Sequence, residues 1–457
     1  MVDHVARVLQ GQPLYIAPSP TFVPATYPPL FYWVSAVVAR LTGVGFLATR
    51  LTAILSSLVC LSLTFAMVRR ETRSWCAAIV STGLFAATYR ASGAWFDIGR
   101  GDTLFLALSL GAFYVLRFGT SCRSAAWAAA LLVLASLTKQ TAFAVAVPLA
   151  IAALVTGWRK GLTFSLLVLA GMTASHGLMH FMSHGWYGYY AFELPRRFSV
   201  RILDSEVSAF WTRDLLRQFG IASVLGTVWL LRGMAARNRA VWLYLGATIG
   251  MVAGSWLPRM QYGGYDNVLM PTYVIVAIVA GLCVHEMMSW EGGTPRIRQL
   301  LSTVAAVLVL VQLGMLAYDP RAEIPTDRDR QEGQWLLSRL SSVSGEILMP
   351  FHGYLPSLAG SAPAAHRMAV SDVLGCDPDG AGAALRREYE HAIAAGRFAA
   401  IVLDRDDWFF MDEVRAYYPR RVPAFRDSTV FWPRTGWRVR PLWMYLPEAP
   451  EHPPENR

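Results

Sequence analysis

Ten runs of predominantly apolar residues punctuate the chain, near 46–68, 75–90, 103–117, 124–138, 140–157, 162–183, 219–232, 240–257, 268–287 and 299–317. At roughly 1.5 Å of rise per helical residue, runs of this length can cross the hydrocarbon core of a bilayer. An unpaired backbone is not tolerated there, so each run is expected to be a helix. With 54% hydrophobic and only 16% charged residues in 457, the chain is too apolar for a soluble protein of its size. The fold class that follows is a polytopic α-helical membrane protein.

Basic residues decide the direction of the spans, because short loops rich in Arg and Lys are retained in the cytoplasm. The segments RRETR (69–73), RFGTSCR (117–123), WRK (158–160), RGMAARNR (232–239) and PRIRQ (295–299) occupy alternate loops and fall on one side. Residues 1–45, ASGAWFDIGRGD (91–102), the TKQ turn (138–140), the loop 184–218, RMQYGGYDN (259–267) and everything from 318 then face away from the cytoplasm. That arrangement suits a cell inner (plasma) membrane. The formal charge of +10 is scattered in short pairs beside apolar runs, which speaks for topology and against a nucleic-acid partner. Because the chain starts on the outer side, a further span preceding Met1 is expected.

Three regions follow: a first external loop over 1–45 with interfacial helices, a membrane domain over 46–317, and an external α/β domain over 318–457. In the last region, RDRQEGQWLLSRLSS, AALRREYEHAIAAG and WFFMDEVRAYY have helical spacing, whereas EILMP, FAAIVLD, TVFWP and WMYLP read as short buried strands. Cys376 is the one cysteine there, so no disulfide framework or cysteine metal site is available. His352 and His366 stand alone, and His180 with His184 has metal-pair spacing but no third ligand nearby. Nucleotide-hydrolysis and zinc motifs are absent, so no cofactor is certain and a divalent metal is left open.

Chemistry-bearing residues collect on the outer face. WFDIGRGDTLFLAL (95–108) places Asp97, Arg100 and Asp102 at the mouth of two spans, where acids are costly unless paired or used. A plainer role for Asp102 is helix capping. Lys139 is one of only two lysines among 41 basic residues and sits in a turn between two spans without other charge. A desolvated ammonium there needs an anion, and a lipid phosphate is the natural one; snorkelling to head groups is the plainer alternative. LPRMQYGGYDNVLMP (257–271) gathers Arg259, Tyr262, Tyr265, Asp266 and Asn267 around two glycines, a setting for a sugar or phosphate or simply a solvated turn. YPPLFYWVSAVVARL (27–41) starts a helix after a Pro pair and suits the interface. HGWYGYYAFELPRRFSVR (184–201) offers aromatic surface for sugar stacking or an interfacial belt.

Taken together, RVLQGQPLY, YPPLFYW, ATRLTAILSSL, DTLFLALSL and LTKQTA resemble the GT-C glycosyltransferases, in particular the family 39 group of protein O-mannosyltransferases and bacterial aminoarabinose lipid A transferases. The resemblance spans about residues 1–317. It implies transfer of a sugar from a polyprenyl-phosphate donor to an extracytoplasmic acceptor (lipid, glycan or protein), with inversion. Lys139 matches the family's lysine near the phosphate, and Asp102 the acid opening the next external segment. The family's acidic pair would fall before Met1 in this register, leaving Asp3 as the nearest acid. Asp102, Asp97 and Asp3 are thus the candidate catalytic acids, and Lys139, Arg100, Arg259, Tyr262, Tyr265 and Asp266 the candidate substrate ligands. A transporter or lipid flippase, or a catalytically inactive truncated relative, remains an alternative reading.

Overall fold

A computed structural model describes residues 1–198, 204–261 and 263–448. Its helices run α1 (Val2–Leu9), α2 (Leu30–Thr42), α3 (Phe46–Thr72), α4 (Trp75–Ala87), α5 (Asp102–Phe118), α6 (Cys122–Ser136), α7 (Ala142–Thr156), α8 (Trp158–Met182), α9 (Val207–Ala235), α10 (Arg239–Arg259), α11 (Met270–Met288) and α12 (Pro295–Met315). Every apolar run of the sequence is one of these helices. Six of them, α3, α8, α9, α10, α11 and α12, are long and apolar enough by themselves to cross a membrane.

The chain divides into two compact units. One comprises Met1, Tyr27–Met182 and Ser199–Asp319; the other comprises Val2–Thr26, Ser183–Phe198 and Pro320–Arg457. In the first, α11 is the hub, buried continuously from Met270 to Val284, with α9, α4 and α10 packed around it. Polar N-caps start several spans: Ser74 accepts from Ala77, Asn238 from Ala240, and Ser121 forms a reciprocal capping box with Ser124.

Helices α7 and α10 approach through a stripe of glycines four residues apart, Gly246, Gly250 and Gly254. A Cβ at Gly250 would stand 2.9 Å from the Val145 Cα, and one at Gly254 2.9 Å from the Thr141 methyl. Small residues at this spacing let two backbones meet, which is how helices associate where water supplies no driving force.

One boundary departs from expectation. The loop expected over 184–218 is already helical from Val207 onward, because α9 extends well beyond its most apolar stretch.

The second unit holds a four-stranded sheet of β1 (Glu346–Leu348), β2 (Phe398–Leu403), β3 (Arg420–Pro423) and β4 (Trp443–Leu446) in the order β1-β2-β4-β3. β1 and β2 are parallel, and the other pairs are antiparallel. The crossover between β1 and β2 carries helices Arg367–Cys376 and Ala381–Ala394, as a parallel pair requires. Leu336 and Leu340 of helix Asp327–Ser341 pack with Ile347, Val402 and Met444 in its core.

Two details correct the strand assignment. TVFWP is irregular, with Phe431 at φ +60° and its N–H donated to Asp329, while the exposed RRVP segment supplies β3. The supposedly lone histidines also have partners: His352 Nε2 lies 2.8 Å from Asp404 Oδ2, and His366 caps helix Arg367–Cys376.

Candidate active site

The first turn of α5 is the centre of the site. Asp102 begins the helix but does not cap it, since Gly101 is the N-cap and no side chain fills that role. Its carboxylate, with only 5% of the residue exposed, turns instead to Lys139, whose Nζ donates to Oδ1 at 2.5 Å. Asn267 Nδ2 donates to the same oxygen at 2.8 Å. Arg100 Nε stands 3.9 Å from Oδ2. Residues 37 to 165 positions apart in sequence therefore converge on one acid.

Each partner is held by its own element. Lys139 follows the end of α6, and the preceding Leu137 carbonyl accepts the Leu30 N–H at 2.9 Å, which ties this turn to the start of α2. Arg100 donates to the Tyr27 hydroxyl, and its guanidinium lies over the rings of Tyr27 at 5.0 Å and Trp95 at 5.6 Å. These contacts hold a cation in a half-buried aromatic setting. A pocket with about 250 Å³ of empty space, partly open to solvent, is lined by Tyr27, Phe31, Tyr32, Arg100, Asp102 and Lys139. A second hollow of about 190 Å³ shares Asp102 and Lys139 and is walled by Phe105, Thr141, Asn267, Val268 and Met270.

Lys139 is thus paired with a protein carboxylate, and its side chain is 11% exposed. The other lysine serves the opposite end of the same helix. Lys160 Nζ donates to the Leu116 carbonyl and, at 2.6 Å, to the Gly119 carbonyl. A compact ammonium with three donors suits adjacent carbonyls at a helix C-terminus.

The remaining sequence candidates make no contact with Asp102 among the described residues and take other partners. Asp97 pairs with Arg50 and accepts the Tyr89 hydroxyl at 3.2 Å. Asp3 belongs to the other compact unit, where burial raises its carboxyl above the usual range. Arg259 is saturated by protein groups: Asp214 at 2.7 Å, the Gly264 carbonyl at 2.9 Å and Asp266 at 3.1 Å. Tyr265 packs against Trp95 at 5.0 Å, close over Gly93, whose φ of +69° and lack of a Cβ make room for it. Tyr262 lies outside the described residues. The aromatic loop is not an open sugar platform, since Tyr187 and Tyr190 are buried and Tyr189 and Arg197 bond to Asp377 at 2.9 and 2.7 Å.

Sequence reasoning assigned no role to Asp214, and it read Asn267 as one of several polar residues for a sugar or phosphate rather than as a partner of Asp102. Asp214 was hidden in a segment read as loop, and it takes Arg213 as well as Arg259. Among the described residues, no group of three or more His, Cys, Asp or Glu side chains is arranged to hold a metal.

Residues 26–186 match the family model described as dolichyl-phosphate-mannose-protein mannosyltransferase. No curated protein matches the chain. Among solved structures, ArnT from Cupriavidus metallidurans in the apo state superposes with a TM-score of 0.60 at 14% identity, covering 97% of this chain and 92% of that one. The same protein bound to undecaprenyl phosphate gives a TM-score of 0.58 at 14% identity, with the same coverage of both chains. The archaeal oligosaccharyltransferase AglB from Archaeoglobus fulgidus, in complex with an inhibitory peptide and a dolichol-phosphate, gives 0.53 at 9% identity over 89% of this chain and 65% of that one. The chain is an integral membrane protein with the fold of the GT-C glycosyltransferases, and its residues 26–186 carry the match to their mannosyltransferase family.

Proposed function

We propose that the protein transfers a sugar from a polyprenyl-phosphate carrier to a hydroxyl-bearing acceptor on the extracytoplasmic side of the cell inner membrane. The observation that carries this reading is the buried Asp102 flanked by Lys139 and Arg100 at the rim of an aromatic-lined pocket. Two cations and one carboxylate leave the pocket one positive charge, which favours a phosphate monoanion or diester in a partly desolvated setting. Aromatic faces such as Tyr27 and Tyr32 suit the apolar side of a sugar ring.

In the reaction, the acceptor oxygen attacks the anomeric carbon while its proton passes to Asp102. The bond between that carbon and the phosphate oxygen breaks, and its electron pair leaves on the lipid phosphate. Arg100 and Lys139 stabilise the growing negative charge. One displacement inverts the anomeric centre. The likeness of fold to an undecaprenyl-phosphate-bound ArnT supports the choice of carrier.

The direct test is to incubate the purified protein with the polyprenyl-phosphate sugars extracted from its native membrane and follow release of polyprenyl phosphate by mass spectrometry. Release together with a glycosylated acceptor is expected. Movement of the lipid across vesicles with no sugar transferred would replace this reading with a flippase.

A further inference from the structure

Resting on that reading, we infer that Asn267 is a positioning residue that divides the labour of the two Asp102 oxygens. Lys139 and Asn267 both donate to Oδ1, at 2.5 and 2.8 Å. Among the described residues no hydrogen bond reaches Oδ2, and its nearest cation is Arg100 at 3.9 Å. Arg100 lines the aromatic pocket, so Oδ2 is the oxygen presented on that side. A carboxylate with one donor can rotate about its terminal torsion, which is broad and two-fold. Two donors on a single oxygen from different elements fix that torsion. Oδ1 becomes the anchored atom and Oδ2 the proton acceptor.

Asn267 is itself set in place. It is 5% exposed, and its neighbour Asp266 pairs with Arg259, which Asp214 holds from α9. Tyr265, on the other side, is packed on Trp95. Residues Arg259, Tyr265 and Asp266, which looked like ligands of the donor, are thereby buttresses of the turn that aims Asn267 at Asp102. An asparagine fits this place because its amide donates without adding charge to an ion pair, whereas an acid would compete for Lys139.

Two experiments on the full-length protein test the inference separately from the activity. In membranes treated with a water-soluble carbodiimide, the Asp102 carboxylate is activated as an O-acylisourea, the Lys139 amine displaces a urea, and an amide forms with net loss of one water from the protein. Peptide mass spectrometry should find this Asp102–Lys139 cross-link in the wild type and a several-fold lower yield in Asn267→Ala. No cross-link in the wild type, or an unchanged yield in the variant, overturns the positioning role whether or not transfer is observed. In the transfer assay, Asn267→Ala should lower kcat about tenfold or more with KM for the lipid donor within twofold. Asn267→Asp, which keeps the shape and loses the donor, should be at least as slow. A packing role alone predicts the reverse order, with the isosteric aspartate the milder change, and that result would sink the inference. A wild type that transfers nothing refutes the proposed reaction and leaves the cross-link to decide this one.

Discussion

Asp102 and its three partners combine charge burial with chemistry, so single substitutions separate the two. On the proposed reaction, Asp102→Asn keeps the shape and removes the base; kcat is expected to fall by about 100-fold or more with KM for the lipid donor little changed. Retained turnover would exclude Asp102 as the proton acceptor. Arg100→Ala should lower kcat as well, since it removes a cation that stabilises the charge growing on the leaving phosphate, and raise KM for the lipid donor besides. Lys139→Ala would strand a buried carboxylate, at a cost of roughly 3–5 kcal/mol, so a lower melting temperature should accompany its loss of activity. Asp102 and Lys139 were legible because a charge beside apolar runs is conspicuous. That they bind each other was not, since nothing in a single sequence couples positions 37 apart. Asn267 was legible as one polar residue of a glycine turn, but nothing in the sequence pointed its amide at Asp102, 165 positions away.

Helices were the most readable elements, since a bilayer demands long apolar stretches and caps mark where they start. The strands were less so. β3 is an exposed edge with Arg420 and Arg421 in succession, giving no alternation to detect, while TVFWP has the composition of a strand but is bent at Phe431. The contact of α7 with α10 gives a sharp prediction for an element. Gly250→Leu would overlap the Val145 backbone, costing about 1–3 kcal/mol through overpacking and disturbing the turn that carries Lys139; reduced thermal stability in detergent, with reduced transfer, is the expected outcome. In the other unit, helix Asp327–Ser341 begins with a capping box in which burial would raise the Asp329 carboxyl. The Thr326 N–H and hydroxyl, Arg434 and the Phe431 N–H outweigh that and bring it down to about 2. Because its folded value is depressed, the stabilisation is present above the ordinary carboxylate range, near pH 4, and is lost as pH falls towards 2. Asp329→Asn should lower stability at pH 7 and leave it little changed near pH 2, which flattens this limb of an acid melt followed by circular dichroism.

For the whole molecule, the alternation of basic loops makes a prediction about sidedness that chemistry in intact cells can check. Cys76 and Cys122 are exposed and lie beside basic loops, Cys376 is partly exposed in the second unit, and Cys60 and Cys283 are buried. A membrane-impermeant maleimide should label Cys376 in whole cells and reach Cys76 and Cys122 only after the membrane is opened. Labelling of Cys122 in intact cells would reverse the orientation and put the site on the cytoplasmic face. The architecture of the membrane unit follows closely from its sequence, because the bilayer leaves few alternatives. Its site does not, because it is assembled from four separate stretches of chain that only the packed bundle brings together.

The placement of the two lysines has a practical consequence. Lys139 and Lys160 are the chain's whole supply of lysine side chains, and both ammonium groups are committed to opposite ends of α5. Apart from the chain's own amino terminus, amine-directed reagents find targets only at those two places. Acylation or reductive methylation of the folded protein is therefore a site-selective report on one helix. Protection of one lysine and not the other, as a lipid carrier is added, would tell which end of α5 the carrier occupies without any mutation.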